Sequence, residues 1–499
     1  MWNMLAGIDV GTTGCKCSVY SREGILKREA YEEYPAGQDQ NNGRELDPAS
    51  VWSCVKKVMK ETAEKGENWE AVGVTSFGEA VVLLDPQDQP VMNTLLYTDE
   101  RGADQCRKLV RETGLTYLQR VTGLNPHEQY SISKLMWIRE NCPEKYARAE
   151  KIFLYAGYIV YMLTGQHVTD YSLASRTMVF DIHRCQWDRK ILEAAGIEEE
   201  KFPRPLPTGT MAGVMKEELK QELGITGTAA VTGGCHDQVA AAAGVGALKS
   251  GDAVNGSGTV ECITPVFAGE KNSGKMMEGN YCTVPYMGQD TFVTYAYSLT
   301  GGALLKWFRD KLSPLEAVEF RKMGKDPYHQ FNQMIRKEPS GLLILPHFAG
   351  SATPYMDSHS VGAVVGLTVE TGKDKIYQAL MEAVAFEMRV NLEYLERADI
   401  HVKHLYACGG GARSNGWMQI KADILGIPIC SLGDLQAGTA GCVMMAGTAA
   451  GVYENMETAA EIFHHEGKWF YPEEKRREKY NVQYQKYRKM YQAVKEVLA

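Results

Sequence analysis

The chain has 499 residues, 44% of them apolar and 23% charged, and a formal net charge of −8. That length supports two or more domains with large buried cores, and the composition is that of a soluble globular protein without low-complexity tracts. The acidic balance argues against a nucleic-acid partner, no apolar run reaches membrane-spanning length, and no leader precedes the first strand-like pattern, so a cytoplasmic protein engaging neither nucleic acid nor membrane is expected.

Leu5 to Val10 and Cys15 to Tyr20 read as two strands joined by Gly11-Thr12-Thr13-Gly14, a β-hairpin. A plain hairpin does not need an Asp at the end of its first strand. Asp9 beside a turn of amides and hydroxyls suits a magnesium–triphosphate: the carboxylate holds the ion's water shell and the turn meets phosphate oxygens. Cys15 and Cys17 face one side of the strand. The twelve cysteines contain no C-x-x-C pair and read as buried free thiols. Ala71 to Ser76 and Val81 to Leu84 read as the arms of a second hairpin with Gly78-Glu79 in its bend, a place to hydrogen-bond a hydroxylated ligand. Asp99 and Arg101 suit a structural ion pair. Tyr130 to Asn141 reads as an amphipathic helix with Leu135, Trp137 and Ile138 on its core face. Asp170 to Thr177, rich in side chains that compete with the backbone, reads as a loop over the site.

Ala229 to Thr232 is the end of a buried strand. Gly233-Gly234 permits a tight turn, and a small-residue helix follows with Asp237 in its first turn. Such a corner lifts a side chain into the crevice at the carboxyl end of a sheet, where a lone carboxylate is set to take a proton from a hydroxyl; a capping Asp on an ordinary helix is the alternative. The pattern then restarts. Asp252 to Asn255, Gly256-Ser257-Gly258-Thr259 and Val260 to Ile263 form another strand, Gly/hydroxyl turn and strand. Two such hairpins imply a duplicated architecture, with each half clasping the triphosphate from its own side.

Farther on, Ser298 to Ala303 opens a helix, and Thr371 with Asp374 reads as a capping box for the next one. Leu405 to Cys408 is a strand running into Gly409-Gly410-Gly411, where a ring or phosphate can approach the backbone closely. The small-residue helix from Gln436 to Gly447 is expected to pack beside that run. His464-His465 lacks metal-ligand neighbours and reads as surface. Tyr480, Tyr484, Tyr487 and Tyr491 mark one face of a docked terminal helix.

In this order the motifs resemble the FGGY family of carbohydrate kinases, from the first hairpin to about Gly447. Asp9-Val10-Gly11-Thr12-Thr13, Gly233 to Gln238, Gly256 to Thr259, Pro354-Tyr355-Met356-Asp357 and Cys408 to Asn415 carry the likeness. The resemblance implies an α/β fold, a duplicated actin-like ATPase (ribonuclease H-like) with two domains around a central cleft, 1–247 and 248–499. It implies ATP and Mg²⁺ as cofactors. Asp237 would be the base, and Asp9 (through water) and Asp237 would face the metal. Asp9, Gly11, Thr12, Thr13, Lys16, Gly258, Thr259, Gly301, Gly410, Gly411, Ala412 and Asn415 would bind the nucleotide. Gly78, Glu79, Tyr130, Asp237 and Gln238 would meet the substrate.

The implied reaction moves the γ-phosphoryl of ATP to a hydroxyl of a ketopentose or deoxyketohexose, with a glycerol- or erythritol-type polyol as the alternative and a homodimer as the allowed assembly. Xylulokinases have Met-His where this chain has Gly78-Glu79. Glycerol kinases have Arg before the Glu, and Gly350-Ser351-Ala352 replaces the Gly-Glu-Arg usual before the Pro-x-x-Asp loop. His236-Asp237 is similar to the deoxyketose kinases. The rival class is an actin- or chaperone-like ATPase indifferent to sugars.

Overall fold

In the computed structural model, which describes residues 3–35, 45–271, 273–433, 435–463 and 467–498, two sheets are built to one plan. Strand Asn3–Val10 pairs antiparallel with Gly14–Ser21 and parallel with Asn68–Ser76. Beyond the latter lie Ala230–Thr232, parallel, and Met211–Val214, antiparallel. In the second half, Asp252–Ser257 pairs antiparallel with Glu261–Ala268 and parallel with His404–Cys408. Ile429–Ser431, parallel, and Lys468–Phe470, antiparallel, follow. Leu5, Ala6, Ile8 and Val10 are all buried because a strand with parallel pairing is covered on both faces.

The chain divides into two compact units: Met1–Leu248, Cys282–Val293 and Gln436–His465 in one, Lys249–Tyr281, Thr294–Leu435 and Glu466–Ala499 in the other. The sequence cut at 247/248 runs along one of these boundaries, but two later segments belong with the first unit. The reason for the larger one is steric fit. Gly7 and Gly73 are register partners in the first sheet, and a Cβ on either would come within 2.4 Å of Thr439 O or 2.2 Å of Cys442 O. Helix Ala437–Ala449 therefore lies directly on this sheet, where only glycines admit it. Its other contact is helix Asp237–Gly244: a Cβ on Gly441 would stand 1.9 Å from Ala240 O. Within the first unit, the small-residue helix thus backs the helix that presents Asp237.

Other expectations change in detail. Val81–Leu84 pairs with Lys151–Leu154, not with Asn68–Ser76, because both edges of the latter are taken by parallel neighbours. Glu79 thus lies where the chain leaves the sheet rather than in a hairpin bend. Residues 170–177 are not a loop: Asp170 caps a short helix, Tyr171–Ser175. Helix Ser131–Asn141 is buried almost all round its first two turns, and Trp137 is only half-buried, under Arg101. No capping box forms before helix Lys373–Arg397; the Thr371 hydroxyl instead accepts from Thr368 N. Arg101 does bridge Asp99 and Glu45, Tyr480, Tyr484 and Tyr487 are buried, and all twelve cysteines are unbridged. His464 and His465 lie outside the described residues. Among the described residues no helix is long and apolar enough to cross a membrane.

Candidate active site

The first unit gathers its chemistry at strand ends. Asp9 lies near the end of strand Asn3–Val10, and the turn beyond it, with Gly11 and Thr12 half-buried and Thr13 exposed, is held by Gly11 N donating to Gly14 O. Burial pushes the Asp9 carboxyl up to about 6, against the pull of Lys16, whose ammonium donates to Gln436 Oε1 at 2.8 Å. Asp237 opens helix Asp237–Gly244. Its carboxyl is pushed up to about 7, first by burial, then by the charges of Asp9 and Glu79, while Gln238 draws it down by hydrogen bonding. Protein surrounds this carboxylate, yet 41% of its side chain stays accessible. A recessed but open carboxylate is what a general base requires.

Beside it lies a cluster of larger polar side chains. Glu79, with φ of 65°, receives Arg176 through Nε at 2.7 Å and Nη2 at 2.5 Å, both on Oε1. The guanidinium lies over the Tyr130 ring, 5.2 Å from its centroid. Burial, then Glu79 and Asp237, raise the Tyr97 hydroxyl, which places that ring near both carboxylates. His236 caps helix Asp237–Gly244: its Nδ1 accepts from Gln238 N, so the proton sits on Nε2. Burial, then Arg176, holds the imidazole well below its ordinary range, and it is neutral.

One buried hydroxyl ties the acid and the arginine together. Ser172 Oγ donates to Asp170 Oδ2 at 2.6 Å and accepts from His236 N at 2.9 Å. Burial pushes Asp170 up to about 6 against its own hydrogen bonds, including that from Thr208. The helix leading to Arg176 and the one beginning at Asp237 therefore share an anchor.

The second unit holds a cavity of about 630 Å³. Ser257, Gly258 and Thr259 form one wall, and Gly302 N and Ala303 N donate to Gly258 O and Thr259 O at 2.8 and 3.0 Å. Gly410 and Gly411 form the opposite wall; a Cβ on Gly411 would meet Ser257 Oγ at 2.8 Å. Tyr328, His329, Asn332 and Arg413 complete the lining with rings and hydrogen-bonding groups. Below the turn, buried Lys421 donates to Ser257 Oγ at 2.5 Å and Asn255 Oδ1 at 3.1 Å and also bonds Glu261, a charged post that fixes the hairpin tip. A concave site with glycine walls and a few convergent polar groups suits a nucleotide.

The structure thus brings Gly78, Glu79, Tyr130, Asp237 and Gln238 together with Asp9, and brings Gly258 and Thr259 together with Gly410 and Gly411. Gly301 supports the turn from behind, its N donating to Thr259 O, and Ala412 and Asn415 do not line the cavity. Sequence reading missed the roles of Arg176, Tyr97, Tyr328, His329 and Lys421. Arg176 left one faint signal, a lone basic residue in a buried polar stretch; the others left none. Among the described residues no group of three or more His, Cys, Asp or Glu is arranged for a metal. Asp237 and the Asp9 carboxylate whose charge raises its proton affinity do fit a hard cation that keeps most of its water.

Comparison with known proteins finds two family patterns along the chain. The pattern of the FGGY family of carbohydrate kinases, N-terminal domain, matches residues 4–244, and that of the C-terminal domain matches residues 255–450. The chain is 31% identical over 477 residues to the glycerol kinase of Halorhodospira halophila, covering 91% of this chain and 90% of that protein. It is 26% identical over 498 residues to the xylulose kinase of Bacillus subtilis, covering 98% and 97%. In fold it is similar to the crystal structure of xylulose kinase from Rhodospirillum rubrum, with a TM-score of 0.87 at 22% identity over 99% of both chains. Gluconate kinase from Lactobacillus acidophilus gives 0.85 at 22% identity over 99% of this chain and 98% of that one.

Proposed function

The chain belongs to the FGGY family of carbohydrate kinases, phosphotransferases that act on sugar or polyol hydroxyls, and from that premise we propose that it carries the γ-phosphoryl of ATP to a hydroxyl of a small uncharged ketose, a ketopentose or deoxyketohexose. The observation that carries this reading is Asp237, accessible at a helix start, pushed up to about 7 and flanked by the Glu79–Arg176 pair. A polyol is the second reading, favoured by the carboxylate of Glu79 as an acceptor for vicinal hydroxyls.

In this reading Asp237 accepts the proton of the attacking hydroxyl as the hydroxyl oxygen bonds to the γ-phosphorus and the bond from that phosphorus to the β-phosphate oxygen breaks, with ADP leaving, and Gln238 steadies the carboxylate. Glu79, Tyr97 and Tyr130 orient the substrate. Thr12, Thr13, Lys16 and Thr259 meet phosphate oxygens, and the cavity walled by Gly258 and Gly410 takes the nucleoside. Asp9, with Asp237 near it, would hold Mg²⁺, which when bound neutralises phosphate charge. Because phosphoryl transfer has a loose transition state, positioning and charge neutralisation supply most of the rate. The test is ADP release measured with ketopentoses, deoxyketohexoses, polyols and aldonates. Turnover that rises by orders of magnitude with one ketose or polyol supports the proposal, and ATP hydrolysis indifferent to all of them defeats it.

A further inference from the structure

We propose that Arg176 is the positioning residue that holds Glu79 in place and turned toward the acceptor, and that the cluster it completes selects uncharged polyhydroxyl substrates over aldonates. This deepens the kinase reading of the Asp237 site and rests on it. Glu79 is only 7% exposed and holds a left-handed backbone conformation, unfavourable for a residue with a Cβ. Two partners hold it there. Ser131 Oγ donates to Glu79 O at 2.5 Å, and Arg176 donates twice to Oε1, leaving neither of those bonds on Oε2.

The guanidinium is itself fixed, lying over Tyr130 and 6% exposed. Gly78 is part of the same fit: a Cβ there would come within 2.8 Å of His236 Cδ2 and 3.1 Å of Arg176 Cγ. The space before Glu79 is thus filled by the arginine stem and the neutral imidazole. Removing the arginine would leave a buried carboxylate uncompensated, the costly half of a buried ion pair.

The charge count sets the selectivity. Asp9, Glu79 and Asp237 bring three carboxylates to the region, the Arg176 guanidinium is committed to Glu79, and the Lys16 ammonium near Asp9 donates to Gln436. A substrate hydroxyl finds acceptors, whereas a substrate carboxylate finds like charge.

The experiment measures phosphorylation of glycerol, D-xylulose and D-gluconate by the wild-type chain and by Arg176→Ala, Arg176→Lys, Glu79→Gln and the Arg176→Ala/Glu79→Gln pair, with unfolding midpoints recorded for each. With the best neutral acceptor, Arg176→Ala should raise the acceptor KM about 10- to 100-fold, the weight of lost charge-assisted hydrogen bonds, and leave the ATP KM within about twofold. Arg176→Lys should restore part of that loss, and it serves as the readout if the alanine variant does not fold. The double variant should be no worse than Glu79→Gln alone, since Arg176 acts through Glu79. An unchanged acceptor KM, losses that multiply in the double variant, or D-gluconate used as well as a neutral acceptor would each overturn the proposal. A wild-type chain that phosphorylates no sugar or polyol, whatever Arg176 does, instead overturns the kinase reading beneath it.

Discussion

The proton affinity of Asp237 is set by its surroundings more than by its identity. In water an aspartate is a weak base near 3.8, but here burial and the charges of Asp9 and Glu79 bring it to about 7. A base that must be unprotonated loses activity as pH falls, so kcat/KM should decline below about pH 7 with a limiting slope of about tenfold per pH unit. An unperturbed aspartate would hold activity down to about pH 4. Asp237→Asn should keep acceptor KM within a few-fold while kcat falls by about 10²–10⁴. A steady-state pH profile with no acid limb above pH 5, or near-wild-type turnover by the asparagine variant, would remove Asp237 from the reaction. Asp237 was readable because its base-competent corner is local: two glycines, a turn and a helix start. Arg176 was not, because its partner Glu79 is 97 positions away and nothing in either neighbourhood announces the pairing.

Helix Asp237–Gly244 is aimed by its packing. One flank rests on helix Ala437–Ala449 through glycine-on-carbonyl contacts, and its start is tied to Ser172 by the His236 amide. Gly441→Ala would drive a methyl to within 1.9 Å of Ala240 O, with backbone on both sides and no flexible side chain to yield. It should destabilise the protein by about 1–3 kcal/mol and lower kcat more than ATP affinity, because the helix must shift. Urea unfolding together with kinetics checks this; a loss under about 0.5 kcal/mol, the range of an indifferent surface change, would mean that the close approach is not tight in solution. The periodicity of residues 436–447 identified a small-residue helix but not its partner. Small side chains state that something comes close, and only the opposing glycines, Gly7 and Gly73 among them, say what.

Across the chain the two units hold different groups: the carboxylates of Asp9, Glu79 and Asp237 with Arg176 in the first, the glycine-walled cavity in the second. A ligand that binds the folded state alone stabilises it by mass action, about 2.7 kcal/mol at a hundred times its Kd. ADP with Mg²⁺ should therefore raise the unfolding temperature, and chelating the metal should abolish turnover. A melting curve unmoved by saturating nucleotide would contradict the assignment of the cavity.

The hairpins with their Asp and Gly/Thr tips, their repetition half a chain apart and the Asp237 corner follow from short-range chemistry, since a turn's glycines, a strand's apolar run and a helix start are each set by neighbouring residues. Which strand Val81–Leu84 joins, which sheet receives helix Ala437–Ala449, which guanidinium serves Glu79 and which rings line the glycine-walled cavity are matters of long-range packing. They depend on volumes and charges meeting between segments far apart in the chain, and no local window contains both partners.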